Sequence, residues 1–316
     1  MRYATVTVAE KVAAFLLLPF VIWQKLVIAV IRHARKQGWN AIGTFTVHQT
    51  RLPYYVSRLQ DPFNQAYPLA PHEIETAMTY LDIGARGDVI DAVAMNRGAF
   101  PDIIMCEGEA AEADRLRQQG YKVISAFVAD RAGTAMFRHV AENPGASSLL
   151  VPQGPFLKLY GGPDYFDWHA KYQEIPVETS TLDAELDALG IDKVDLVKLD
   201  IQGGELAALK GFSGRDPLCW VVETTMHPTY IDMPYGIDLI KELYDRGYLI
   251  IGQQDLHFQE GILIWCDTVF APNWSHPKGA ALIRERPKQW RTLMRMFGRE
   301  HLISFVEKEL GTAKSE

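Results

Sequence analysis

Residues Val194–Gly211 read VDLVKLDIQGGELAALKG. Val194, Leu196, Val197, Leu199 and Ile201 form a short apolar run of the kind that becomes a buried strand, and Asp200 stands at its carboxyl end. Gly203 and Gly204 then mark a turn, after which Leu206, Leu209 and Phe212 recur at helical spacing. In an open α/β sheet, ligands bind in the crevice at such carboxyl ends. A matching unit lies upstream, where Thr79–Gly87 reads TYLDIGARG and puts Asp82, Gly84 and Gly87 after another short strand.

Working outward, Gly87–Arg97 reads as a helix, Ile103–Glu107 as a second buried strand, Ala110–Gln119 as a helix closed by Gly120, and Lys122–Ala129 as a third strand. Thr181–Leu189 is a helix capped by Thr181 or Ser180. Strands at Trp220–Glu223, Tyr248–Ile251 and Cys266–Phe270 follow, with a helix at Ile237–Asp245 and a final cationic, aromatic helix from Pro287 to Leu310. The alternation predicts an α/β fold with a doubly wound, mostly parallel seven-stranded sheet. Residues 1–40 are read as an apolar helical extension, 41–75 as a connection rich in Pro and Tyr, and 76–272 as the main domain. That domain carries a strand-and-loop insertion near 131–180, and 273–316 form a C-terminal helical extension.

The 316 residues, 48% hydrophobic, are ample for an extended core, and a net charge of −7 argues against a nucleic-acid partner. Cys106, Cys219 and Cys266 lie in apolar contexts without metal-ligand spacing, so they read as inert buried thiols of a cytoplasmic protein. Val12–Ile31 is apolar except for Gln24 and Lys25. A span needs roughly 20 apolar residues, and a central Lys costs about 2.5–3.5 kcal/mol on insertion scales. The segment therefore suits packing on its own protein or on a homodimer partner, or peripheral membrane contact, better than a crossing.

The chemistry gathers at two places. Gly84 and Gly87 let backbone approach a ligand, and Glu107, twenty residues after Gly87, stands where it can accept both ribose hydroxyls. Asp82 replaces the first glycine of the dinucleotide fingerprint. A carboxylate there repels a pyrophosphate but attracts an ammonium, which favours S-adenosylmethionine over NAD. The second place is Lys198, Asp200, Gln202, Gly203, Gly204 and Glu205.

With Glu107, Ser147–Leu149, Ser180–Asp183, Glu223 and Asp267–Phe270 added, this constellation resembles the FkbM-type S-adenosylmethionine-dependent methyltransferases over roughly Leu81–Pro272. The resemblance implies a class I Rossmann-like methyltransferase fold. It implies a cofactor-binding set of Asp82, Gly84, Ala85, Gly87, Glu107, Asp130, Asp200 and Gln202, with Asp200 near the transferable methyl. It also implies O-methylation of a small-molecule or glycan acceptor, a sugar or glycolipid precursor. Two positions depart from the family pattern, Arg86 where Asn is usual and Gly108 where Pro commonly follows the strand-two acid. Candidates for the proton-removing group are Asp200, Glu223 and His227, and the same three could hold a divalent metal, although no spacing signature favours one. The aromatic-acidic stretch Gly161–His169 reads either as a sugar-stacking loop or as an ordinary packed one. An NAD-type oxidoreductase and a non-catalytic cofactor-sensing module remain as alternatives.

Overall fold

The first three strands are short because each needs only to cross one buried layer: β1 (Thr79–Ile83), β2 (Asp102–Cys106) and β3 (Lys122–Ile124). In the computed structural model, described over residues 66–153, 171–259 and 262–312, they lie parallel, with α1 (Asp91–Met95) and α2 (Ala110–Gln118) between them. The expected single strand 122–129 is split. After Ser125 the chain leaves the main sheet, and β4 (Phe127–Val128) pairs instead with β6 (Gln173–Ser180), which also pairs with β5 (Gly133–His139).

From that three-stranded sheet the chain returns through α3 (Leu182–Ala188) to β7 (Leu196–Leu199), α4 (Glu205–Lys210), β8 (Cys219–Thr225) and α5 (Gly236–Asp245). A long hairpin, β9 (Tyr248–Gln259) and β10 (Ile262–Pro272), closes the sheet and extends well beyond the two short strands read from sequence. The seven strands lie in the order β3-β2-β1-β7-β8-β10-β9, and only β10 runs against the others. This is the expected doubly wound, mostly parallel sheet. Its order reverses between β1 and β7, so a crevice opens at their carboxyl ends.

The C-terminal stretch begins with α6 (Pro277–Glu285), and the single helix read over Pro287–Leu310 is two, α7 (Pro287–Met296) and α8 (His301–Glu309). Proline begins the first two, as its missing N–H allows, and Gly298 at φ +67° separates the last two. Trp290, Leu293, Met294 and Phe297 join one core with Tyr80, Phe212, Trp220 and Tyr248 of the sheet layer. Arg286, 7% exposed, donates to the Val194 carbonyl at 3.1 Å and so ties this layer to the segment that enters β7. Among the described residues no helix is long and apolar enough to cross a membrane. The Val12–Ile31 segment and the Gly161–His169 stretch lie outside the described residues.

Candidate functional site

The switch between β1 and β7 is held closed at its base by backbone contact. Asp200 N–H donates to the Ile83 carbonyl at 3.0 Å across β7 and β1, while on the other side Gly84 N–H donates to the Cys106 carbonyl of β2 at 3.0 Å. Gly84 sits at φ +81°, and a Cβ there would fall 1.8 Å from the Asp200 carbonyl oxygen. The turn after β1 and the turn after β7 therefore touch only because residue 84 has no side chain. Gln202 occupies φ +55°, a conformation sparsely used by residues other than glycine, Asn and Asp.

A cavity of about 290 Å³ opens above this junction. Glu107 lies toward one end with Gly108, Phe127, Val128 and Phe137; Lys198, Asp200, Ile201 and Gln202 lie toward the other, facing Ser148 and Leu149. Gly108 has a physical reason to differ from the family's Pro: a Cβ at that position would come within 2.5 Å of the Phe127 ring. Phe127 and Phe137 pack with centroids 4.7 Å apart and give that end an apolar wall. Arg86 pairs with Glu109, whose carboxylate also lies 2.9 Å from His139 Nδ1.

The sequence-derived residues divide in this frame. Gly84, Glu107, Asp200 and Gln202 line the cavity. Asp82 does not: it is 1% exposed beneath the floor, where Tyr80 donates to it at 2.6 Å and the Lys198 ammonium lies 3.8 Å away. The cation that Asp82 meets is thus the chain's own Lys198, which also pairs with Asp200 at 3.0 Å. Ala85 is buried with its N–H on the Cys106 carbonyl. The helix expected at Gly87 begins only at Asp91, and the Gly87 N–H donates to Glu112 at 3.3 Å rather than facing the cavity. Asp130 is exposed beside Arg131 and is not among the residues that line the cavity, although Phe127 and Val128 of β4 just before it are.

A second cavity of about 280 Å³ adjoins the first, and Gly145 and Gln202 line both. Glu223, Thr225, Tyr230 and Trp265 stand in its wall; His227, half-buried on the loop after β8, lines neither cavity. The Gln202 amide spans the junction. Its Nε2 donates to Asp200 Oδ1 at 3.1 Å and to Glu223 Oε2 at 3.1 Å, while Tyr230 Oη donates to its Oε1 at 3.1 Å. Ser148 Oγ fixes the Gln202 carbonyl at 2.7 Å.

Charge at this junction is strongly biased. Burial alone would raise the Asp200 carboxyl, but the Lys198 ammonium at 3.0 Å, the Gln202 amide and a hydrogen bond from Glu223 hold it below its ordinary range. Burial opposes the charge on Lys198, and Asp200 and Asp82 overcome it, keeping the ammonium protonated. Glu223 is pushed well above the carboxylate range by burial and then by the charges of Asp200, Glu205 and Asp267. Asp267 is raised to about 7, first by burial and then by Asp200. Asp200 and Glu223 thus form a pair in which Asp200 is ionised and Glu223 holds a proton.

Glu205, not His227, is the acid that joins them, with ligand atoms of the three within 4.8 Å of one another. Its oxygens already accept the Ile201 and Gly203 N–H groups. Phe127, Phe137, Tyr230 and Trp265 were not singled out as site residues from sequence. Each comes from a strand or loop whose approach to the crevice is set by sheet packing, so no local signal marks it.

The residues fit S-adenosylmethionine: an acidic pair beside one end, an apolar aromatic wall for a base, and Glu107 for a ribose diol. No curated protein sequence matches the chain significantly. Magnesium protoporphyrin IX methyltransferase from Synechocystis PCC 6803 with bound S-adenosylmethionine is similar over 63% of this chain and 72% of that one, at 10% identity and a TM-score of 0.34. Streptococcus pneumoniae Sp1610, assigned as a tRNA methyltransferase, is similar over 77% of this chain and 99% of that one, at 10% identity and a TM-score of 0.31. The sequence pattern of the methyltransferase FkbM domain matches residues 82–250, more than half of the 316. The match spans β1 to the start of β9, and with it both acid-bearing crevice turns, so this chain belongs to the FkbM methyltransferase family and its cofactor is S-adenosylmethionine.

Proposed function

We propose that this chain moves a methyl group from S-adenosylmethionine to a hydroxyl oxygen of a sugar, glycan or glycolipid precursor. The observation that carries the reading is the Gln202 bridge, one amide joining Asp200 in the first cavity to Glu223 in the wall of the second. Glu107 takes the ribose hydroxyls, Phe127, Val128 and Phe137 take the adenine, and the Asp200 end takes the amino-acid portion. When bound, S-adenosylmethionine supplies a methyl on a sulfonium, an already activated leaving group. What remains for the chain is to align a hydroxyl and to remove one proton, and alignment alone supplies a large share of such accelerations.

The proton has a place to go. Glu223 faces the second cavity and shares a hydrogen bond with the ionised Asp200, so the pair carries one proton and one negative charge. As the hydroxyl loses its proton to Glu223, the proton already there moves to Asp200, and the pair ends neutral with a proton on each carboxyl. Lys198 stays an ammonium throughout and keeps Asp200 ionised before the step.

The test is Glu223→Gln, which keeps the hydrogen-bonding shape and removes the relay. With a methyl-labelled donor and a glycan acceptor panel, kcat should fall by about 10²–10⁴, while S-adenosylhomocysteine affinity measured by calorimetry changes little. Unchanged kcat removes Glu223 from proton transfer. Binding of S-adenosylhomocysteine without label entering any acceptor favours the cofactor-sensing module instead.

A further inference from the structure

The second cavity has one wall that is unusually well fixed. Trp265 of β10 is half-buried in that wall, and His257 of β9 stands opposite it in the hairpin. Their rings stack with centroids 3.9 Å apart and planes 6° from parallel. Burial holds the His257 imidazole below its ordinary range, so the stack is neutral on neutral at physiological pH. One face of the indole is therefore already covered, and its orientation is set before any ligand arrives. An aromatic surface held in advance loses little conformational entropy when a ligand covers its other face.

Polar groups surround this surface. The Asn143 amide and the Thr225 hydroxyl line the cavity and have no intramolecular side-chain hydrogen bond among the described residues. Glu223 and Gln202 stand at the junction with the first cavity. Among the described lining residues none is a Lys, Arg or His that would counter the charge of a phosphorylated or carboxylated ligand. A flat apolar plane rimmed by uncommitted donors and acceptors matches a pyranose ring, whose C–H faces are apolar and whose hydroxyl edge is polar. A phenol would cover the indole but brings a single hydroxyl, too few to engage both the Asn143 amide and the Thr225 hydroxyl.

We propose that this cavity is the acceptor subsite, and that it seats a neutral pyranose ring against the Trp265 indole with Asn143 and Thr225 engaging its hydroxyls. His257 is a positioning residue that acts through Trp265. The proposal rests on the methyl-transfer reading above and names the acceptor chemistry of that site.

Saturation-transfer NMR on the full chain, loaded with S-adenosylhomocysteine, tests it with four probes: methyl α-glucopyranoside, methyl α-mannopyranoside, glucose 6-phosphate and catechol. The expected result is saturation of the ring C–H protons of a neutral glycoside, lost in Trp265→Ala, retained in Trp265→Phe and weakened in His257→Ala. S-adenosylhomocysteine binding by calorimetry should persist in all three variants, which shows that they fold. Saturation of neither glycoside, saturation that survives Trp265→Ala, or a Trp265-dependent preference for catechol or the phosphate overturns the proposal. Failure of the unsubstituted chain to bind S-adenosylhomocysteine is a different outcome, because it overturns the methyl-transfer reading itself.

Discussion

At Gly84 a single methyl group decides whether two crevice turns can meet. Alanine there would need a left-handed backbone at φ +81° and would place Cβ 1.8 Å from the Asp200 carbonyl oxygen. The backbone cost is about 1–2 kcal/mol and overpacking adds about 1–3 kcal/mol, so Gly84→Ala should destabilise the fold severely and abolish S-adenosylhomocysteine binding. Gly87, at φ +98° with nothing within 4 Å of where a Cβ would stand, should show the backbone cost alone. Urea unfolding of both variants checks this, and equal losses would remove the steric argument. The same scale shows what could be read in advance. Glu107 was legible as a cavity residue, since its spacing from Gly87 places it at the neighbouring strand's carboxyl end. Asp82 was legible as an acid but not in its contacts: Lys198 reaches it only because β1 and β7 pair in a register that sets Asp82 opposite Lys198. Asp130 is expected in the cavity and lies outside it, exposed two residues past β4, whose Phe127 and Val128 line the cavity instead.

Elements whose ends are set by their own side chains were the most legible. Thr181 caps α3, its Oγ1 accepting the Ala184 N–H at 3.2 Å, as the Thr-Leu-Asp start anticipated. Thr181→Ala should therefore cost about 1 kcal/mol, and Ser180→Ala, which removes no cap, much less. Thermal unfolding of the two variants distinguishes the cap residue, and equal shifts would show that Thr181 is not it. Elements ended by tertiary contact were misread. Strand 122–129 has β-forming pairs at Val123–Ile124 and Phe127–Val128, and it divides between them at Ser125 and Ala126, where pairing with β6 replaces pairing with β2. The hairpin β9–β10 outruns its apolar core because exposed residues such as Leu256, Phe258 and Ile262 continue the ladder without burial to announce them. The C-terminal helices divide at Gly298 although the cationic, aromatic pattern runs through it.

Over the whole molecule, buried acids make stability depend on pH in an uncommon direction. Glu205, 4% exposed, is raised to about 7 by burial, and Asp267 is raised to about 7 by burial and by Asp200. In the unfolded chain both ionise near the ordinary carboxylate range, around pH 4. Between that range and pH 7 these two acids bind more protons in the folded state than in the unfolded one, so their contribution to stability falls as pH rises through this window and is spent above it. For Glu205 the loss is on the order of 3 kcal/mol. Glu75 works the other way: the hydrogen-bonded Arg291 guanidinium holds it down to about 2, so its contribution is complete above the ordinary range and fades as pH falls toward 2. The ligand-free protein should be most stable near pH 5, with urea midpoints declining from pH 5 to 7.5. A rising midpoint over that interval would contradict the raised carboxyls, and Glu205→Gln should flatten the decline. What the sequence determined by itself was the repeating strand, acid and glycine turn. Buried parallel strands demand continuous apolar runs, and only glycine fits the turn at residue 84, so the fold class and the acids at the crevice are written locally. What only the tertiary structure decided was which groups meet: Asp82 with Lys198, Asp200 with Glu223 through Gln202, and Trp265 with His257. Those meetings depend on strand register and on the packing of two sheets, interactions between residues far apart in the chain that no local spacing encodes.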